Sequence, residues 1–137
     1  MWKYYALLSA FFAAVTAILA KVGVKGISGN VATAVRTVVV LITVWLIVIF
    51  AGQFKEVKAL GKENIIFLVL SGVATGLSWI FYFKALETGN VSKVAPIDKL
   101  SIVMVIIFAF IFLHEPMSLK TVLGGTLITA GAVLLAL

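Results

Sequence analysis

Fourteen consecutive uncharged residues, Leu100 to Leu113, constrain this chain more than any other feature. Their order, LSIVMVIIFAFIFL, has no strand-like alternation. Extended back to Val94 the stretch has twenty residues and takes in Pro96, Asp98 and Lys99. A helix of that length, at about 1.5 Å per residue, spans about 30 Å, the thickness of bilayer hydrocarbon. The stretch therefore reads as a transmembrane helix with charges a short way inside one end. Charged groups there are costly and mark functional candidates.

The rest of the chain has the same character. Of its 137 residues 64% are hydrophobic and 12% charged. A water-soluble domain could not cover itself with so few charges, whereas lipid needs no such cover. The length suits one domain, residues 1–137. The net charge of +6 comes from lysines in short gaps between apolar runs, where they face headgroups rather than nucleic acid. With no cysteine and one histidine, His114, neither a thiolate nor a histidine-based metal site can be built, and no cofactor is expected.

The pattern predicts an all-α bundle of five transmembrane helices, at about 4–20, 31–51, 64–85, 94–113 and 119–137. Trp2, Tyr4 and Tyr5 sit at an interface. Ala6, Ala10, Ala13, Ala14, Ala17 and Ala20 form a small-residue stripe suited to helix packing. The first span has a rival reading as a secretory signal peptide, with Lys3 as its charged start. No good A-x-A site follows it and further apolar spans do, so it is read as a membrane helix. Residues 52–63, of mixed charge, read as a solvated loop or a turn of surface helix, and 87–93 as a loop with Ser92 as a plausible cap. Gly72 and Gly76 make a G-x-x-x-G pair, and Gly124 and Gly125 give the last helix a small face. The chain is read as ending with the fifth span, with no tail beyond it.

Five spans put the termini on opposite sides. Five lysines flank the N-terminal side, against four to six Lys and Arg on the other, so the bias that normally sets orientation is nearly balanced. Two readings follow: one orientation under a weak bias, or insertion both ways with antiparallel pairing.

Arg36 and Asp98 each precede the end of their predicted span by fifteen residues, so they share a depth. They are expected to face the bundle interior and to be able to pair. Lys99 lies about 100° further round the helix and is not expected to share the face of Asp98; it can snorkel to the headgroups. Asp98 also lies near a helix N-terminus, where a carboxylate has a purely structural use, and Pro96 is ordinary in a first turn. Alternatively Pro96 breaks the helix beside a cavity. Trp79 and Tyr82 read as interface anchors or packing, or as cavity walls able to stack on a cation. Ser101 completes the candidate lining with Arg36, Trp79, Tyr82 and Asp98. His114 and Glu115 read as residues of an interfacial loop.

Residues 72–101, GVATGLSWIFYFKALETGNVSKVAPIDKLS, and 114–136, HEPMSLKTVLGGTLITAGAVLLA, resemble the EamA domain of the drug/metabolite transporter superfamily. The likeness lies in a small-residue third helix ending in an aromatic and KAL element, a fourth helix opening with a proline, and a Glu just before a short, glycine-bearing fifth helix. It covers nearly the whole chain. Most relatives carry two such domains in ten helices, so this chain looks like a half-size member.

The resemblance implies a transporter or exporter of small metabolites or drug-like solutes in the plasma or inner membrane. A single repeat would need a second copy, as an antiparallel homodimer, or a second half-size protein to complete a cavity for alternating access. Unlike small multidrug exporters, the chain has no acid in its first helix. Any coupling carboxylate would have to be Asp98, Glu87 or Glu115. The other function considered is a non-transporting membrane subunit packed on a partner. An enzyme is not expected: there is no Ser/His pair on recognisable spacing and no carboxylate dyad.

Overall fold

The computed structural model describes all of residues 1–137 and is built only of helices. They are α1 (Trp2–Gly23), α2 (Gly29–Phe50), α3 (Phe54–Lys58), α4 (Lys62–Thr88), α5 (Val91–Asp98), α6 (Ser101–Phe112) and α7 (Leu119–Ala136). In hydrocarbon every backbone N–H and C=O must find its partner within the segment, and apolar runs of this length meet that demand as helices. Five stretches are long and apolar enough to cross a membrane: α1, α2, α4, α5 with α6 taken together, and α7. Their outward side chains stay apolar: Phe67 is 71% exposed and Leu127 73%, a surface that suits lipid and not water. The chain is a multi-pass membrane protein.

The segment after the second span folds one short helix, α3, the second of its two readings, with Gly52 at φ 70° in the turn before it. Two boundaries differ from the sequence reading. Helix α4 runs on to Thr88, so Glu87 is helical and the connection to α5 shrinks to Gly89 and Asn90. Asn90 is then the N-cap, and Ser92 lies inside the first turn rather than capping it. The second difference is in the fourth span. The single helix expected at 94–113 is two, α5 and α6, meeting at Lys99 and Leu100. There the α-helical ladder tightens. Leu100 N–H donates to the Ile97 carbonyl, Ile102 N–H to Lys99 and Val103 N–H to Leu100, each at 3.0 Å and each three residues back. Pro96, inside α5, has no N–H to give to its own ladder, and the chain changes to the tighter turn just after it.

By internal contact the helices form two units, Met1–Lys21 with Thr88–Leu137, and Val22–Glu87. In the first, α5 and α6 both pack on α7. Lys93 Nζ, from the first turn of α5, donates to the carbonyls of Ala136 and Leu137 at 3.4 and 3.2 Å, placing a cation on the C-terminal end of α7. Lys21 Nζ donates to the Gly89 carbonyl at 2.8 Å. Gly125 is buried, and a Cβ there would lie 3.5 Å from Ile106 Cδ1, an ordinary contact. Ser118 caps α7 by accepting the Thr121 N–H at 3.1 Å.

Between α6 and α7 the chain turns at His114, which takes φ 52°, in the left-handed region, while Glu115 N–H returns to the Ala109 carbonyl. An L-residue there carries about 1–2 kcal/mol of strain. His114→Gly is therefore expected to raise the unfolding temperature in detergent, and His114→Val to lower it. Equal unfolding temperatures for the two variants would refute this account of the turn.

In the second unit α2 and α4 run antiparallel and meet at the start of α2. Ser28 caps α2 and accepts the Val31 N–H at 3.4 Å. The Gly29 N–H donates to Glu87 Oε1, so the penultimate residue of α4 satisfies a free donor at the N-terminus of α2. Gly29 is buried, and a Cβ there would stand 2.9 Å from the Lys84 backbone nitrogen. The missing side chain is what allows the two backbones to approach. Thr33, also buried, donates to the Gly29 carbonyl at 2.7 Å, so its hydroxyl is satisfied within its own helix.

Candidate functional site

Residues spaced by four along α4 share a face. Trp79, Phe83 and Glu87 have that spacing, and all three meet α2. Glu87 holds its first residue. Seven residues on, Arg36 projects from α2, and its guanidinium carbon lies 4.1 Å from the centre of the Trp79 ring and 5.7 Å from that of Phe83. Both distances are within cation–π range. Tyr82, half-buried, meets Phe83 edge-on with ring centres 6.3 Å apart.

The aromatic grip also fixes the direction of the Arg36 side chain. Trp79 lies nine residues before the end of α4 and Phe83 five, so the nearer ring is the deeper one. Gly29 faces Lys84, so Arg36, seven residues further along α2, stands level with about residue 77 of the antiparallel α4, and the guanidinium leans back towards the N-terminal end of α2 to meet both rings.

The second charged group sits at the break in the fourth span. Asp98 ends α5, and its Oδ2 accepts from Lys99 Nζ at 3.3 Å. The long lysine stem reaches its sequence neighbour from the adjoining position, at the end of α5. Arg36 and Asp98, expected to be able to pair, each have another partner: the rings for Arg36 and Lys99 for Asp98. Ser101 opens α6 on the other side of the break and is exposed. Pro96 lies two residues before Asp98 and is half-buried.

A cleft of about 400 Å³ runs between α6 and α7, lined by Val103, Ile106, Met117, Gly125 and Thr129 among others. Its threonines Thr126 and Thr129 give their hydroxyl protons to the carbonyls of Val122 and Gly125, so the cleft offers an apolar wall. None of Asp98, Ser101 or Pro96 lines it. The packing glycines divide. Gly125 is used within the chain, while a Cβ on Gly72, Gly76 or Gly124 would meet nothing within 4 Å.

Phe83 and Gly29 had escaped the sequence reading, and Glu87 entered it only as a possible coupling carboxylate. Phe83 and Glu87 were visible as a continuation of the Trp79 face at a spacing of four. Gly29 carried no distinguishing signal, because a glycine needed for close approach looks like its neighbours Gly23 and Gly26 in a turn-rich connection.

Five apolar spans, with one charge gripped by rings inside a span and an ion pair at the break of another, define a multi-pass membrane protein. The chain belongs to the EamA-like transporter family, whose profile matches residues 1–137. It is a membrane transporter by that membership. It is also 51% identical over 135 residues to a Sinorhizobium sp protein named "Uncharacterized transporter in cobO 3'region", a match covering 98% of this chain and 96% of the relative. The single-repeat extent is therefore common to both. No solved structure matches the chain.

Proposed function

We propose that the protein carries small metabolites or drug-like solutes across the plasma or inner membrane by alternating access, working as an antiparallel dimer of half-size units. The broken fourth span carries this reading. Transporter sites are typically built where the regular ladder of a membrane helix is disturbed. Here the interruption falls eight residues into the span, about 12 Å along it, and bears the Asp98–Lys99 pair. The dimer is favoured by the near balance of lysines at the two ends and by Gly72, Gly76 and Gly124, which leave room for another backbone.

Reporters active on only one side of the membrane, fused to the C-terminus, are expected to give signal on both sides. Signal from one side alone would exclude an antiparallel homodimer and leave a separate half-size partner of opposite orientation. Solute flux by the purified protein in sealed liposomes tests transport itself.

A further inference from the structure

Arg36 lies inside a membrane span, yet no acid neutralises it. Its neighbours on α4 are rings, and the ion pair elsewhere in the chain joins Asp98 to Lys99. The acid at this end of its own unit, Glu87, accepts the Gly29 N–H, seven residues and about 10 Å along α2 from Arg36. Lys25 and Lys84 add two more positive charges to the same end.

A ring packed on the face of a guanidinium lowers the cost of burial but takes none of its five N–H donors, which point outward in the guanidinium plane. Thr33, about one turn before Arg36, and Thr37, next to it in sequence, are the hydroxyl groups of this part of α2. Their protons go to the carbonyls of Gly29 and Thr33, at 2.7 Å each. The planar donor edge of Arg36 thus has no carboxylate partner, Tyr82 being the titratable group beside it, and its geometry suits one chemistry: the paired oxygens of a carboxylate or phosphate.

We infer that Arg36, held on Trp79 and Phe83, is the binding group for an oxyanion, and that the transported solute carries a carboxylate or phosphate. The inference rests on the transporter reading above. Trp79 and Phe83 are the positioning residues: they fix the plane of the guanidinium, so that its donor edge keeps one direction. Asp98, already satisfied by Lys99, would not select for a cationic solute. The same donor edge could also be met by the phosphate of an anionic lipid, and the test separates the two.

Purified protein in liposomes of phosphatidylcholine is assayed for flux of succinate, citrate and glycerol phosphate, against neutral succinamide and glycerol and cationic putrescine. In parallel, a Trp2→Phe/Trp45→Phe protein reports on the ring beneath Arg36 through the emission of Trp79. Flux is expected for anionic members only. It should fall about ten- to a hundredfold in Arg36→Gln, the loss typical of a charge-assisted hydrogen bond, and less in Arg36→Lys, which keeps the charge without the fork. Saturable change in Trp79 emission with the same anions is the second expected result. Flux of neutral or cationic members that survives Arg36→Gln would overturn the inference and leave the transporter standing. Emission that answers to added phosphatidylglycerol and not to soluble anions would assign Arg36 to lipid and overturn it too. Silence across the whole panel in tight vesicles would remove the transporter reading and this inference with it.

Discussion

Replacing Gly29 by valine is expected to be among the most damaging single changes in the chain. The new Cβ would stand 2.9 Å from the Lys84 nitrogen and 3.0 Å from the Phe83 carbonyl carbon. Both are backbone atoms, so no rotamer change relieves the clash. The start of α2 must move away from α4, at about 1–3 kcal/mol for overpacking. The Glu87 contact to the Gly29 N–H weakens as well, which adds about 1 kcal/mol in the manner of a lost helix cap. The displacement also draws Arg36 off the Trp79 ring. Gly23→Ala, at the end of α1, is the control, because a Cβ there meets nothing within 4 Å. It should change stability by no more than about 0.5 kcal/mol, apart from a small gain in helix propensity. Thermal unfolding in detergent reads both, and a Gly29→Val protein as stable as Gly23→Ala would show that the close approach of α2 and α4 is not what the glycine provides.

Trp79→Leu is expected to cost about 1–2 kcal/mol beyond Trp79→Phe. Leucine keeps apolar bulk, but only an aromatic ring offers the negative face on which Arg36 rests at 4.1 Å. The excess should vanish in an Arg36→Gln background. Such a double-mutant cycle isolates the pair from the packing of the indole, since the same side-chain volume is removed in both backgrounds. A coupling near zero would mean that Arg36 draws its support from elsewhere and that the ring merely fills space.

The two variants bear on one question: how a charge is kept inside a membrane span. Within its own unit Arg36 rests on the rings of Trp79 and Phe83. The signal for that contact was present, because Trp79, Phe83 and Glu87 stand four apart and must share a face of α4. It was not decisive, because aromatic residues at helical spacing serve lipid interfaces and ordinary packing equally well. Gly29 was harder still. Nothing local separates a glycine in a turn from one whose absent Cβ makes room for a neighbouring helix.

The sequence by itself determined that the chain crosses the membrane five times, and very nearly where. Every residue in hydrocarbon faces the same demand whatever its neighbours, so the distribution of apolar and charged residues along the chain is sufficient. It also fixed how far along its own helix each of Arg36 and Asp98 stands, because that distance follows from the rise along a helix axis. The partner of each was decided only by the tertiary structure. That choice depends on the rotation of each helix about its axis, on the close approach at Gly29, and on the course of the Lys99 side chain at the end of α5. Position along a helix is a property of that helix alone, whereas a partner depends on how side chains and neighbouring helices are set, and that does not follow from counting residues.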